Sequence, residues 1–189
     1  MGVQVPSRYQ KDNMAKDIIV DNNFYRDPYV IREYALNQEF RVIGNYPGIR
    51  TEPYLPDMTK MKIEILVGSP ITRWFEDYCG SFQRVSEGES TWIHSDKYNG
   101  WAAVCYLTPD PPAGSGTAFY SFEGRDRTLP NVEDPNPHLD GWVQTDYIEN
   151  KWNRIVLYRG DLYHKAMGYF GDIDKPETQR LFQVFFFNT

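Results

Sequence analysis

The sequence predicts a mainly β domain with helices at its N-terminus, and three observations support this prediction. Aromatic residues make up 16% of the 189 residues, and aromatic and β-branched residues favour strands. After residue 70, short apolar segments alternate with strong turn signals, as in a sandwich, a barrel or a jelly roll. Before residue 70, apolar residues recur near helical spacing. We therefore expect a single domain over 1–189, in which residues 1–70 form a helical support and residues 71–189 form the β core.

Two helices are predicted in the N-terminal part. Asp27 and Pro28 form a capping residue followed by proline at the first helical position, so a helix is expected over 28–38. A second helix is expected after the cap Asp57, ending at Gly68, where glycine suits the C-terminal position. The face predicted to be buried consists of Met58, Met61, Ile65 and Leu66.

Short strands separated by clusters of glycine, proline and acidic residues are predicted in the β core. They are expected over 71–77, 81–86, 91–95, 101–108, 116–122, 153–158 and 181–188. The polar, proline-rich stretch 123–141 is expected to be an insertion loop. Loops of this length in compact domains are often lids or binding loops, and a solvated surface loop is the alternative.

Charge, hydropathy and cysteine content narrow the function classes. The chain has 20 basic and 26 acidic residues and a net charge of −6, which disfavours nucleic acid as a partner because such binding needs a basic surface. The mean hydropathy of −0.61 and the lack of an apolar run of about 20 residues argue against a membrane protein. The N-terminus lacks the apolar segment of a secretory signal, and 2 cysteines are too few for a disulfide scaffold. We therefore expect a soluble, cytoplasmic protein.

His94 and Asp96 are the first candidate metal ligands. They lie two residues apart at the end of the strand predicted over 91–95, where alternation directs both side chains to the same face. His164 follows the apolar run 155–158 and a turn, so it is the best candidate for a third ligand. Two histidines and one carboxylate form a facial triad with open coordination positions, which suits non-haem Fe(II) chemistry. A structural zinc site would need four closed ligands, usually with thiolates, and neither cysteine has a partner at zinc-ligand spacing.

Arg180 begins the last predicted strand and shares a face with Phe182, Val184 and Phe186. A guanidinium that points into an apolar interior needs a partner, because burying an unpaired charge is very costly. The partner is either an internal Asp or Glu, or a carboxylate supplied by a ligand and held by two parallel hydrogen bonds.

These residues, taken in order, resemble the signature of the Fe(II)- and 2-oxoglutarate-dependent dioxygenases. That signature is His-x-Asp, a distant His and an Arg on a late strand. The likeness is strongest to the prolyl-hydroxylase-like branch, because 105–108 and 114–120 resemble its Tyr-Leu-Asn strand and the Gly-Gly strand that follows. Segments 21–28 and 46–51 resemble the lead-in of small oxygenases of this type, some of them encoded by bacteriophages. Thr108, Ser115 and Val184 depart from the family pattern, but no metal ligand is missing.

The resemblance implies a double-stranded β-helix, the cupin-like jelly roll, in which His94, Asp96 and His164 hold Fe(II). It implies that Arg180 binds the distal carboxylate of 2-oxoglutarate and that Tyr106 donates its hydroxyl to the same group. In the implied reaction, O2 and 2-oxoglutarate are consumed, succinate and CO2 are released, and a substrate is hydroxylated. Halogenating relatives lack the carboxylate, so Asp96 favours hydroxylation.

Candidate substrate contacts are the aromatic residues near the proposed metal ligands in sequence. Tyr98, Trp101 and Tyr120 are the main candidates, and core packing is the alternative for each. Others that could contact substrate are Trp92, Tyr163, Lys97 and Asn99. The sequence leaves a protein side chain, a nucleobase and a small metabolite open as the unidentified substrate, and the acidic composition disfavours nucleic acid.

Two other functions remain open from the sequence. A jelly-roll binding or structural module with a vestigial or structural metal site would have no need for an inward-facing arginine. A cupin-like metalloenzyme that does not use 2-oxoglutarate would commonly use more histidines, and only His138, in the predicted insertion loop, is spare. Finding His138 beside the other histidines would support that second alternative.

Overall fold

A computed structural model describes residues 17–75, 78–124 and 136–189. Within these residues the chain order is β1 (Ile18–Asp21), α1 (Pro28–Leu36), β2 (Ile49–Pro53), α2 (Asp57–Val67), β3 (Arg73–Trp74), β4 (Ser81–Val85), β5 (Trp101–Tyr106), β6 (Gly116–Phe122), β7 (Trp142–Glu149), β8 (Ile155–Arg159), β9 (Tyr163–Met167), a 3-10 helix (Pro176–Thr178) and β10 (Arg180–Asn188). The predicted mainly β fold with N-terminal helices is confirmed. Neither described α-helix combines the length and the apolar character that crossing a bilayer requires.

The strands form two antiparallel sheets. The larger sheet has the order β1-β8-β5-β10-β4-β2, and β3 also pairs with β10. The smaller sheet has the order β7-β6-β9. Two antiparallel sheets enclosing a shared core form the jelly roll, as predicted.

Two apolar clusters lie on the two faces of the larger sheet. One cluster lies on the face covered by the helices, since it contains the buried Ala35 of α1 and Ile63 of α2. The other contains Phe119 of the smaller sheet, so it lies between the sheets. Alternation along β10 supplies both clusters. The helix side receives Leu181, Phe185 and Phe187, and the inter-sheet side receives Phe182, Val184 and the partly buried Phe186.

The helix ends are close to the predicted positions. The Oδ1 atom of Asp27 accepts a hydrogen bond of 3.2 Å from the main-chain N–H of Val30, which caps α1 as predicted. In α2 the cap position is held by Pro56, and Asp57 is the first helical residue rather than the cap. Gly68 ends α2 with a left-handed φ of 73°, a conformation that glycine adopts without steric cost.

The predicted apolar face of α2 is wrong for three of its four residues, while the fourth, Leu66, is partly buried and packs against the apolar cluster on the helix side of the larger sheet. Thr59 and Ile63 are buried, whereas Met58, Met61 and Ile65 are 75%, 55% and 74% exposed. Apolar residues occur on several sides of this helix, so periodicity alone does not select one face. Packing against the larger sheet selects the face that carries Ile63.

Four strands, β1, β2, β7 and β9, were not predicted. The first two join the larger sheet, so the N-terminal part supplies strands as well as helices. β7 directly follows the predicted insertion loop, in which 125–135 lie outside the described residues. Its side chains are mostly exposed, so no buried apolar face marked it as a strand.

Two predicted strands differ from the structure. The segment predicted over 71–77 contains only the short β3, and residues 76 and 77 lie outside the described residues. The segment predicted over 91–95 forms only one isolated bridge, between His94 and His164. Pairing at a single residue is too little to define a strand.

Candidate metal centre and adjoining cavity

The main chain brings His94 and His164 together. His164 lies on β9, where it pairs with Phe119 of β6. The main-chain N–H of His94 donates to the carbonyl of His164 at 3.1 Å, and the reciprocal hydrogen bond measures 2.8 Å. This bridge places the two imidazole rings side by side, with centroids 4.4 Å apart.

Main-chain carbonyls orient both imidazoles. Nδ1 of His94 lies 3.0 Å from the carbonyl oxygen of Trp92, and Nδ1 of His164 lies 3.0 Å from that of Leu162. A carbonyl oxygen only accepts hydrogen bonds, so we assign the proton of each neutral ring to Nδ1. The Nε2 atoms then carry the lone pairs that a metal ion needs.

Asp96 completes the cluster. Its Oδ2 atom lies 3.5 Å from Nε2 of His164, and one ligand atom from each of the three residues lies within 4.8 Å of the others. The following turn is closed by a 2.8 Å hydrogen bond from the Asn99 N–H to the Asp96 carbonyl. Gly160 lies against this turn, where a Cβ atom would be 2.7 Å from the same carbonyl. Two imidazole nitrogens and one carboxylate in this arrangement fit a single divalent cation with open positions.

Arg180 is buried beside the inter-sheet cluster, with 1% of its surface exposed. Nη1 donates to the carbonyls of Met167 and Gly168 at 2.7 and 3.4 Å, and Nη2 donates to the carbonyl of Gly116 at 2.9 Å. Nε is buried without a hydrogen-bond partner. Within 17–75, 78–124 and 136–189, no Asp or Glu forms an ion pair with this guanidinium. The charge is therefore not neutralised by the described part of the chain.

Aromatic rings surround the Arg180 guanidinium. Its central carbon lies 5.7 Å from the ring centroids of Tyr106 and Tyr169 and 5.5 Å from that of Phe182. The Tyr106 hydroxyl shares a 2.7 Å hydrogen bond with the Thr117 hydroxyl. Burial raises the pKa of Tyr106, and burial also raises the pKa of Tyr169 to about 12. Both phenols are therefore protonated at neutral pH and can donate hydrogen bonds.

One cavity of about 610 Å³ is lined by Arg180 and by the three metal-ligand candidates. Its apolar wall includes Phe182 and Val184, which share the inward face of β10 with Arg180. Tyr158, which is 4.6 Å from the His164 ring between centroids, also lines it. The cavity therefore joins the candidate metal centre to the unneutralised guanidinium.

Arg50 is a cavity residue that the sequence analysis missed as a site residue. It lies on β2, is 6% exposed, and donates from Nε to Oε1 of Gln83 at 2.7 Å. Its central guanidinium carbon lies 3.6 Å from the ring centroid of Tyr46 and 5.0 Å from that of Tyr78. Burial lowers its pKa to about 10, so it stays charged at neutral pH. The sequence offers one indication of this role, because Arg50 lies between Ile49 and Thr51, two β-branched residues that favour a strand.

The three main substrate candidates occupy different environments. Tyr98 lines the cavity and is 85% exposed. Trp101 belongs to the helix-side cluster, where its ring stacks on Phe187 at 6.4 Å between centroids. Tyr120 is not among the cavity-lining residues, and its hydroxyl lies 3.6 Å from the Met167 sulfur. Alternation explains the separation, since residues 101 and 120 point away from the faces that enclose the cavity.

The remaining candidates are divided in the same way. Trp92 and Asn99 line the cavity, whereas Tyr163 and Lys97 are not among its lining residues. His138 is exposed and is not part of the cluster formed by the other two histidines. The structure therefore does not place a third histidine at the candidate metal centre.

Comparison with known proteins supports the fold. No family model and no curated protein matches the chain. Among solved structures, 32 chains match. One is a prolyl hydroxylase from Trichoplax adhaerens in complex with a hypoxia inducible factor oxygen degradation domain peptide fragment. It is 10% identical, with a TM-score of 0.54, and the match covers 90% of this chain and 83% of that chain. At this identity the likeness establishes the jelly-roll fold alone.

Proposed function

We propose that this protein is an Fe(II)- and 2-oxoglutarate-dependent dioxygenase of the hydroxylase type, similar to the prolyl-hydroxylase-like branch. One observation carries the proposal. A single cavity is lined by a converging His-His-Asp cluster and by Arg180, a buried guanidinium with no anionic partner among the described residues. An open metal site and an unneutralised cation in one cavity suit a diacid, which can bind the metal ion with one end and the Arg180 guanidinium with the carboxylate at its other end.

In this proposal His94, Asp96 and His164 hold Fe(II). Fe(II), when bound, supplies the O2-dependent oxidation chemistry in which 2-oxoglutarate is converted to succinate and CO2. The carbonyls of Trp92 and Leu162 fix the imidazoles in the tautomer that directs Nε2 to the ion. The partly buried Asp96 carboxylate contributes the negative charge that favours a divalent cation.

Arg180 is proposed to bind the distal carboxylate of 2-oxoglutarate. The three carbonyls around it use three of its five N–H groups, which leaves Nε–H and one N–H of Nη2. Nε and Nη2 lie on one edge of the guanidinium, and such an edge matches a carboxylate through two parallel hydrogen bonds. The main-chain carbonyls hold the guanidinium in place before the co-substrate binds.

Tyr106 is proposed to donate a hydrogen bond to the same carboxylate. A hydroxyl both donates and accepts, so Tyr106 can accept from Thr117 while it donates to a ligand. Tyr106 is not among the cavity-lining residues. Support for its role comes from the distance of 5.7 Å between its ring centroid and the Arg180 guanidinium carbon, and from its hydrogen bond to Thr117, which does line the cavity.

The rival functions receive less support. A structural or binding module gains nothing from Arg180, because a buried guanidinium without an anion destabilises the fold. A cupin-like metalloenzyme with additional histidine ligands is disfavoured by the position of His138, which is exposed and lies outside the cluster.

The proposal is tested by anaerobic spectroscopy of the full chain. Addition of Fe(II) and then 2-oxoglutarate should produce the visible charge-transfer absorption of the chelated keto acid. We expect His164→Ala to abolish this absorption and His138→Ala, which removes an exposed histidine, to retain it. Wild-type protein without the absorption, or equal spectra for wild type and His164→Ala, would refute the proposed function.

A further inference from the structure

Arg50 is a second buried cation in the cavity, and the proposed reaction leaves it without a role. It is 6% exposed and lines the same cavity as the candidate metal ligands. Its Nε is occupied by Gln83. In the described part of the chain, no hydrogen bond or ion pair involves Nη1 or Nη2. These two groups therefore provide a pair of donors for a ligand.

The surroundings hold Arg50 in one orientation. Nε2 of Gln83 donates to the carbonyl of Pro47 at 2.6 Å, which fixes the amide with its Oε1 atom toward Arg50. Tyr46 stacks against the guanidinium at 3.6 Å from its central carbon. The main-chain N–H of Arg50 also donates to the carbonyl of Val42 at 3.0 Å. A donor pair that is rigid before binding loses little entropy when it binds an anion.

The charge and shape of this donor pair fit a carboxylate. Nη1 and Nη2 form the end of a planar fork, and a carboxylate accepts from such a fork with both oxygens. Among the described residues that line the cavity, Arg50 and Arg180 are the only arginines or lysines. Asp96 lines the same cavity and would repel a second negative charge. One guanidinium therefore matches a single negative charge better than a phosphate dianion.

The wall of the cavity that Arg50 lines is rich in aromatic residues. Tyr46 and Tyr78 lie against its guanidinium, and Phe75 and Trp92 also line the cavity. Aromatic walls bind apolar groups through burial and ring packing. The ligand that suits the cavity thus combines one carboxylate with an apolar body.

We infer that the substrate carries a carboxylate bound by Nη1 and Nη2 of Arg50, and that its apolar part lies against the aromatic wall. This inference rests on the proposed function, since it assigns the substrate of the same site. It gives the two arginines separate ligands, with the substrate on Arg50 and the co-substrate on Arg180. The carboxylate belongs either to a free organic acid or to a peptide, and the binding test separates these sources.

The test uses the full chain loaded with Zn(II) and 2-oxoglutarate, because zinc has no redox chemistry and the complex does not turn over. One set of probes pairs hexanoate with hexanamide and 3-phenylpropionate with its amide. A second set pairs short peptides with free and amidated C-termini. Binding is measured by ligand-observed NMR for wild type, Arg50→Gln, Arg50→Lys and Arg41→Gln. The last is the matched control, because Arg41 is 58% exposed and pairs with surface carboxylates.

We expect acids to bind more tightly than their amides by about 30-fold or more, as for a buried charge pair. Arg50→Gln should remove this preference, Arg50→Lys should reduce it, and Arg41→Gln should retain it. If the small acids bind more tightly than their amides, the substrate is a free organic acid. If only the peptides with a free C-terminus bind more tightly than their amidated forms, the substrate is a peptide. Equal binding of acids and amides by wild type, including no binding of either, would overturn the inference.

Two measurements keep the inference separate from the proposed function and from misfolding. If Arg50→Gln and Arg50→Lys bind 2-oxoglutarate as wild type does and also keep the wild-type acid preference, the inference fails while the proposed function stands. If wild type does not bind 2-oxoglutarate, the proposed function itself fails. If Arg50→Gln does not fold, Arg50→Lys decides, because an unchanged acid preference in that variant contradicts recognition by a planar fork.

Discussion

Replacing Arg180 with glutamine should weaken the binding of 2-oxoglutarate without a comparable effect on a keto acid that lacks the distal carboxylate. Arg180 is 1% exposed, so water is poorly placed to replace the guanidinium as the partner of a bound carboxylate. Glutamine keeps hydrogen-bonding capacity near the carbonyls of Met167 and Gly116 but removes the charge. The substitution therefore tests the charge more than the packing.

The expected magnitude follows from the burial of the proposed ion pair. Removing one partner of a buried, hydrogen-bonded charge pair costs about 2–5 kcal/mol. Since each 1.4 kcal/mol corresponds to about a tenfold change in affinity, the dissociation constant of 2-oxoglutarate should rise by about 30-fold to 4,000-fold. An exposed arginine would give a far smaller effect, because surface ion pairs contribute only about 0–1 kcal/mol.

The assay is a thermodynamic cycle with two keto acids. 2-Oxopentanoate has the chain length of 2-oxoglutarate but a methyl group in place of the distal carboxylate. Binding of each to the metal-loaded protein is measured by calorimetry under anaerobic conditions for wild type, Arg180→Gln and Arg41→Gln. Wild type and the exposed control should discriminate strongly between the two acids, whereas Arg180→Gln should not. Unchanged discrimination in Arg180→Gln would refute the assignment, whether both acids bind as they do to wild type or both are weakened equally.

Three further predictions concern the stability of the fold. Phe185→Ala, at a fully buried position of the helix-side cluster, should lower the free energy of unfolding by about 3–5 kcal/mol in urea titrations; a loss under about 1 kcal/mol would contradict the packing described. Gly48→Ala should destabilise the protein more than Gly68→Ala. Both glycines have a φ of 73°, but a Cβ atom at Gly48 would lie 2.1 Å from the Arg84 carbonyl oxygen, whereas a Cβ atom at Gly68 would meet open space. Equal melting temperatures of the two variants would show that the contact at Gly48 is unimportant. Burial raises the pKa of Cys79 to about 12, above the value of about 8.5 for a free thiol. Below about pH 8.5 the Cys79 thiol is neutral in both the folded and the unfolded protein. As the pH rises from about 8.5 toward 12, the thiol ionises in the unfolded chain but stays neutral in the folded one, so the free energy of unfolding falls by up to about 1.4 kcal/mol per pH unit. Urea unfolding from pH 8 to 11 should therefore show a steeper decline for wild type than for Cys79→Ala, and identical slopes would contradict this assignment.

Local pattern predicted the central strands better than the edge strands. β5 and β10 were recognised because most of their residues are both buried and apolar, and both lie inside the larger sheet. β1 and β7 lie at sheet edges, and none of their residues is fully buried, so neither strand has a buried apolar face that would mark it in the sequence. Edge strands form because a neighbouring strand offers hydrogen bonds, and that information is long-range.

The sequence by itself determined the chemical types at the candidate site and the direction of one critical side chain. The period of two along β10 is enough to place Arg180 on the same face as Phe182. That placement needs only local backbone geometry. The convergence of His94 and Asp96 does not follow from strand alternation, because residues 91–95 form only an isolated bridge.

Only the tertiary structure decided which distant residues share the cavity. His164 reaches His94 through a β-bridge, and Arg50 reaches the cavity because β2 pairs with β4 in the register that sets it opposite Gln83. Both contacts depend on pairing between segments far apart in the chain, where a shift by one residue would turn each side chain to the opposite face. The physical reason is that local periodicity specifies the face of a strand, whereas its neighbour and register are set by the packing of the whole fold.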